Sequence, residues 1–216
     1  ALGVQEPLEE QAMLDRVEIG HRAQQQFVGD ASHELRTPLT TILSALEVVE
    51  SHPHLLSHEL ASDTLLPEAK RMHALVEDLL LLARADEKGL ALRHDDVHLD
   101  ELVTAEAVRV RRHSAPAIHT DVHPARVSGD GAALTRVFGN LLDNAARHAG
   151  SRIDIVVRTG DGQAVVTICD DGPGIPQSQR ERIFDRFVRL DGDRSRFSGG
   201  AGLGLAIVAT PVALII

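Results

Sequence analysis

The chain has 216 residues, 43% hydrophobic and 25% charged, with a formal net charge of -10. That length and apolar content allow one large or two small packed domains and argue against global disorder. With five Phe, no Trp, no Tyr and one cysteine, Cys169, it lacks the basic patch and stacking platforms of a nucleic-acid binder and any intrachain disulfide framework, and no apolar run approaches the roughly 18 residues of a membrane span.

Residues 1–26 are polar and acidic, with helix formers such as Glu9, Glu10 and Gln11. They predict a leading helix, frayed at Gly3 and Pro7, that runs into the next element. From residue 27 to about 50, Val28, Ala31, Leu35, Leu39, Ile42, Leu46 and Val49 recur at gaps of three and four. That is an amphipathic helix. His33 stands two residues from both Ala31 and Leu35. At about 100° per residue it faces water, away from the stripe. An exposed histidine beside a carboxylate, here Glu34, can be a nucleophile or simply a polar residue on a solvated face. Pro38 removes a backbone donor and predicts a bend.

Residues 51–57, with Pro53, read as a loop. His52 and His54 are loop residues rather than metal ligands, since no cysteine or acid cluster accompanies them. A second helix is predicted over 58–86, with Leu65, Met72, Leu75, Leu79 and Leu82 as its stripe, Val76 and Leu80 reinforcing it and Pro67 interrupting it. Two such helices form a hairpin that cannot cover both stripes alone. Pairing two hairpins into a four-helix bundle covers them and predicts a homodimer.

Residues 85–93 are a charged linker. Beyond it, 97–99 suggests a short strand, Asp100 a cap for a helix to about Arg112, and 118–122 a half-buried strand. Another short strand is expected at 126–128, and Asp130 starts a helix through His148. Residues 152–159 and 163–170 are β-rich runs around Gly160, Asp161 and Gly162, a hairpin signal. Helices and strands interleave without regular βαβ spacing, which predicts an α+β sandwich with helices on one sheet face.

Three patterns in this half bear on chemistry. Asn140 and Asn144 lie one helical turn apart on one face, where amide oxygens can ligate Mg²⁺ or simply meet solvent. Asp170, Gly172 and Gly174 end a strand in a sharp turn that can aim a carboxylate into a cavity. Such a carboxylate can accept an adenine amino group, although an acidic β-turn reads the same. Gly199, Gly200, Gly202 and Gly204 let backbone N–H groups approach phosphate at a helix start. No Lys-Ser/Thr pair follows, so this is not a Walker A loop.

With the segment SHELRTPL at 32–39 and IFDRFVR at 183–189, these blocks resemble, in order, those of sensor histidine kinases of bacterial two-component systems, over roughly residues 23–208. The resemblance implies a multidomain chain. Residues 1–22 would be a leading helix or tail, 23–88 a helical hairpin forming the dimeric four-helix bundle with the phosphoacceptor, and 95–216 an α+β sandwich ATP-binding domain of the histidine kinase/gyrase type. It implies that His33 takes the γ-phosphoryl group of ATP, that Glu34 accepts or orients the imidazole proton, and that Thr37 orients water for dephosphorylation of a response regulator. Asn144 matches the Mg²⁺ ligand and Asn140 the other amide of that motif. Arg147 and His148 fall near phosphate. Asp170, rather than Asp171, matches the adenine-reading acid of the turn that includes Gly172 and Gly174. Phe184 and Phe187 would pack a mobile lid on the pocket, and Arg189 would approach phosphate beside Gly200, Gly202 and Gly204. Ala201 stands where the family usually has a small hydroxyl residue, so one phosphate hydrogen bond is expected to be missing.

The cofactors implied are ATP and Mg²⁺. The partners implied are a response-regulator receiver domain and a second copy of the chain, with no nucleic acid. The chain would be the cytoplasmic portion of a membrane sensor. Two other readings are a phosphatase or docking scaffold for the regulator and a plain ATPase. After residue 208 the pattern breaks at Pro211 and ends in VALII. The expectation is a catalytic domain incomplete at its C-terminus, with an open sheet edge near 165–168 and weak or absent kinase activity, unless the apolar tail docks on that edge.

Overall fold

A computed structural model describes residues 5–52, 57–86, 93–189 and 200–209. The chain divides into two compact units, Ala1–Glu77 and Asp78–Ile216.

In the first unit, helix α1 (Gln5–Ser51) is continuous, so the leading segment and the His33 segment are one helix. Pro38 lies inside it and is fully buried. Of the expected stripe, Ala31 is buried and Leu35, Ile42 and Val49 are half-buried, whereas Val28, Leu39 and Leu46 are exposed, as is Leu43. The second helical stretch has three parts: α2 (His58–Leu60), a π-helical turn (Ala61–Leu65) and α3 (Leu66–Asp86). Ser57 caps α2 by accepting the Leu60 N–H. The wide turn sits just before Pro67, which has no N–H to return to the preceding turn, so the interruption falls where the proline predicts it. The expected loop at 51–57 lies partly, and the linker at 85–93 largely, outside the described residues. No helix among the described residues is long and apolar enough to cross a membrane.

The second unit holds a three-stranded sheet in the order β2 (Ala117–Val122), β4 (Arg152–Gly160), β5 (Gln163–Asp170). β2 runs parallel to β4, and β5 antiparallel to it. β1 (Asp95–His98) and β3 (Arg126–Gly129) form a separate antiparallel pair. Alternation in β4 sends Ile153, Ile155 and Val157 to one face, where they are fully buried. They share a core with Val103 and Ala107 of α4 (Leu99–Arg111) and with Leu142 and Ala145 of α5 (Gly131–His148). This is the expected α+β sandwich.

Local chemistry explains the boundaries. Asp130 caps α5 by accepting the N–H groups of Ala132 and Ala133. The β4–β5 hairpin turns on Asp161 and Gly162, both at positive φ, as a two-residue hairpin turn requires. Asp100 is not the cap of α4. The cap lies two residues earlier, at His98, with Leu99 buried and its N–H donating to the Ala125 carbonyl at 2.9 Å. β1 correspondingly ends at His98. Among the described residues β5 has no second neighbour strand, and Val165 is exposed on it. Residues 210–216, and with them the expected docking of the tail, lie outside the described residues.

Candidate functional site

The first site is one face of α1. His33 and Thr37 are both exposed, one turn apart, and Glu34 is half-buried. The hydroxyl of Thr41 donates to the Thr37 carbonyl at 3.2 Å, that of Thr40 to the Arg36 carbonyl at 2.8 Å and that of Ser32 to the Val28 carbonyl at 2.7 Å. These hydroxyls turn back onto the helix, and the imidazole is left facing solvent, as the periodicity predicts. No group of three or more acidic, histidine or cysteine side chains suited to a metal exists among the described residues.

The second site is a cavity of about 510 Å³ in the second unit. Helix α5 buries Leu134, Phe138, Leu142 and Ala145 and turns Asn140, Asn144, Arg147 and His148 into the cavity wall. At the end of β5, Asp170 reaches the same wall, as do Gly174, Arg189, Gly200, Gly202 and Gly204. Of Asn140, Asn144, Arg147, His148, Asp170, Gly172, Gly174, Arg189, Gly200, Gly202 and Gly204, anticipated as nucleotide contacts, Gly172 alone does not line it. A Cβ there would stand 2.4 Å from the His148 carbonyl oxygen and 2.6 Å from Asp170 Oδ1, so glycine lets the turn pass against the end of α5.

Glycine at 202 serves another close approach. Its φ is +73°, and a Cβ would lie 2.9 Å from the Phe187 carbonyl carbon. The Phe187 N–H donates to the Gly202 carbonyl at 2.9 Å, with Phe187 itself at positive φ. This contact joins the segment expected to be a lid to the glycine segment. Phe184 and Phe187, expected to pack the lid on the pocket, do not themselves line the cavity. Phe184 ends a short 3₁₀ turn (Arg182–Phe184) and is exposed, and Phe187 takes the backbone pairing. Ile183 and Val188 supply the apolar wall instead, together with Ile175, Leu203 and Leu205. Gly199 lies outside the described residues.

The two adjacent aspartates have separate tasks. Asp170 Oδ1 accepts the Gly172 N–H at 2.9 Å, which orients the carboxylate at the cavity wall. Asp171 turns to the scaffold and accepts from Ser151 and Arg152. The Ser151 hydroxyl, then the Ser151 and Arg152 N–H groups, hold its carboxyl well below the ordinary range.

Sequence reasoning missed Asp143, which lines the cavity directly before Asn144. Arg109 of α4 donates to Asp143 at 2.8 Å and to Glu106 at 2.6 Å. Burial alone would lower the Arg109 pKa, but these two carboxylates raise it, so the guanidinium stays charged and balances Asp143. Adjacency to Asn144 was the available signal; the partner 34 positions away in sequence was not.

The wall fits a nucleotide. Asn140 Nδ2 is buried with no hydrogen-bond partner among the described residues, so a ligand acceptor would satisfy it. Gly200 and Gly204 leave room beside Arg147 and Asn140, where a Cβ would come within 3.5 Å and 3.3 Å of those side chains. Cations, amides, the Asp170 carboxylate and an apolar wall are what phosphates, a hard metal ion and a base each need.

Two family models match. One is described as "Histidine kinase-, DNA gyrase B-, and HSP90-like ATPase" and covers residues 129–214, beyond the Val208 limit of the motif resemblance. The other, "His Kinase A (phospho-acceptor) domain", covers residues 23–88. The chain is 39% identical to the probable sensor histidine kinase TcrY of Mycobacterium tuberculosis, over 93% of this chain and 45% of that protein. It is 37% identical to the sensor histidine kinase RppB of Synechocystis, over 87% and 43%. It therefore spans somewhat less than half the length of these curated relatives. Among solved structures, the Acinetobacter baumannii histidine kinase AdeS shares the fold, with a TM-score of 0.61 at 24% identity over 82% of this chain and 83% of that one. Histidine kinase ThkA, solved in complex with response regulator protein TrrA, shares it with a TM-score of 0.58 at 22% identity, over 88% and 57%.

Proposed function

Because the chain belongs to the sensor histidine kinases of bacterial two-component systems, we propose that it transfers the γ-phosphoryl group of ATP to His33 and passes it to an aspartate of a response regulator. The observation that carries this reading is the cavity that gathers Asn140, Asn144, Asp170 and Gly200–Gly204 on one wall, in a chain whose other unit presents an exposed histidine.

Asp170 accepts the amino group of adenine. Arg147, His148 and Arg189 face the phosphates with the backbone of the glycine segment. Asn144, with Asn140 beside it, offers an amide oxygen to Mg²⁺, which when bound neutralises phosphate charge. One imidazole nitrogen of His33 bonds to the γ-phosphorus as the bond from that phosphorus to the bridging oxygen breaks, and ADP leaves. Glu34 takes or orients the proton on the other ring nitrogen. In this reading residues 23–88 dimerise and carry the phosphoacceptor, and residues 95–216 bind nucleotide. The chain is the cytoplasmic portion of a membrane sensor. Exposed Leu39, Leu43 and Leu46 favour the homodimer, since a second hairpin would cover them. The exposed Thr37, one turn from His33, favours a second activity, hydrolysis of the phosphorylated regulator, read as phosphate release from that regulator.

Incubation with labelled ATP tests the main reading. The wild-type chain is expected to gain acid-labile, base-stable label. His33→Gln should gain none, with nucleotide affinity unchanged. Equal labelling of the variant would overturn the assignment.

A further inference from the structure

Asp171 ties the turn that carries Asp170 to the scaffold. Its Oδ1 accepts the N–H groups of Ser151 and Arg152 at 2.9 Å each, and its Oδ2 accepts the Ser151 hydroxyl at 2.6 Å. Its own N–H donates to the Arg152 carbonyl at 3.2 Å. Arg152 opens β4, and Ser151 directly precedes it, just beyond the end of α5. On the other side of the turn, Gly172 lies against the His148 carbonyl closely enough that no side chain fits. Asp170 stands directly before these two anchors, with one carboxylate oxygen already engaged by Gly172. Asp171 does not itself line the cavity.

We propose that Asp171 is a positioning residue that sets the adenine-over-guanine selectivity of the pocket by locking the backbone on which Asp170 stands. This rests on the nucleotide reading above. Adenine offers an amino donor where guanine offers a carbonyl, so discrimination depends on a carboxylate oxygen held at one place. Without the Asp171 carboxylate, only its backbone bond to Arg152 and the close fit at Gly172 would hold the turn, and the Asp170 oxygen could shift enough to blunt the distinction. The depressed pKa of Asp171 agrees with this geometry: the anchor is an ionised acceptor making charge-assisted bonds.

Equilibrium binding of ATP, GTP and inorganic tripolyphosphate, each with Mg²⁺, tests the proposal on the full chain. Asp171→Ala should lower the ATP-to-GTP affinity ratio by roughly tenfold, the scale of a lost charge-assisted bond. Tripolyphosphate binding should not change. Asp171→Asn should keep the wild-type ratio, because its Oδ1 can still accept both backbone N–H groups. Ser151→Ala removes only the hydroxyl donor and should shift the ratio the same way by roughly two- to threefold. It keeps the test decisive if Asp171→Ala does not fold. Wild-type ratios in Asp171→Ala and Ser151→Ala would overturn the proposal alone, as would equal weakening of all three ligands. Failure of the wild-type chain to bind ATP would overturn the pocket reading and this proposal with it.

Discussion

The two units bury apolar surface in different ways. On α1, Val28, Leu39, Leu43 and Leu46 are 44% exposed or more, while on β4 Ile153, Ile155 and Val157 expose nothing. A long helix offers a stripe that only another surface can cover. A sheet folded against its own helices covers itself. The helical unit thus leaves part of its apolar stripe uncovered, and the α/β unit has a core that is complete on the helix side of its sheet.

Substitutions at matched positions sharpen that contrast. Ile155→Ala removes a fully buried side chain from the sheet core and should cost about 2–5 kcal/mol. Urea unfolding followed by a probe in the second unit would show it, and an unchanged midpoint would mean this core is looser than its burial implies. Leu46→Asp places a charge on the exposed stripe. It should leave a monomer within about 0.5 kcal/mol of its stability. It should weaken self-association by about tenfold or more, the scale of one buried leucine. Sedimentation over a concentration series separates the two, and an unaltered dimer would show that another surface makes the contact. The smallest effect concerns pH. Asp171 has a carboxyl pKa below its ordinary value of 3.8. Its stabilisation is therefore complete above that range and is lost as pH falls through 3.8 toward the depressed value. Acid unfolding should find the wild type more stable than Asp171→Asn near neutrality, with the difference shrinking as pH falls below about 4, where the wild type alone loses this contribution. Identical curves throughout would mean the Ser151 contacts contribute nothing.

Within single elements, much of this protein was legible in advance. Gly160 to Gly162 marked the hairpin, Asp130 marked the start of α5, and Pro67 marked the break in the second helix. Each signal acts through its own backbone within a few residues. The pocket was legible as a set of motifs because Asn140 and Asn144, and Asp170 and Gly174, keep their spacing wherever the chain goes.

The sequence by itself determined most of the elements, the outward face of His33 and the motif residues that meet at the pocket. Those follow from the 3.6 and 2.0 periodicities and from turn chemistry, which are properties of neighbouring residues. Only the tertiary structure decided that Ile183 and Val188 rather than Phe184 and Phe187 line the wall, that Asp143 is balanced by Arg109, and that Gly172 serves packing against α5. Each of these depends on a contact between segments far apart in the chain. Such contacts are set by how the sheet and helices pack, and local spacing carries no record of them.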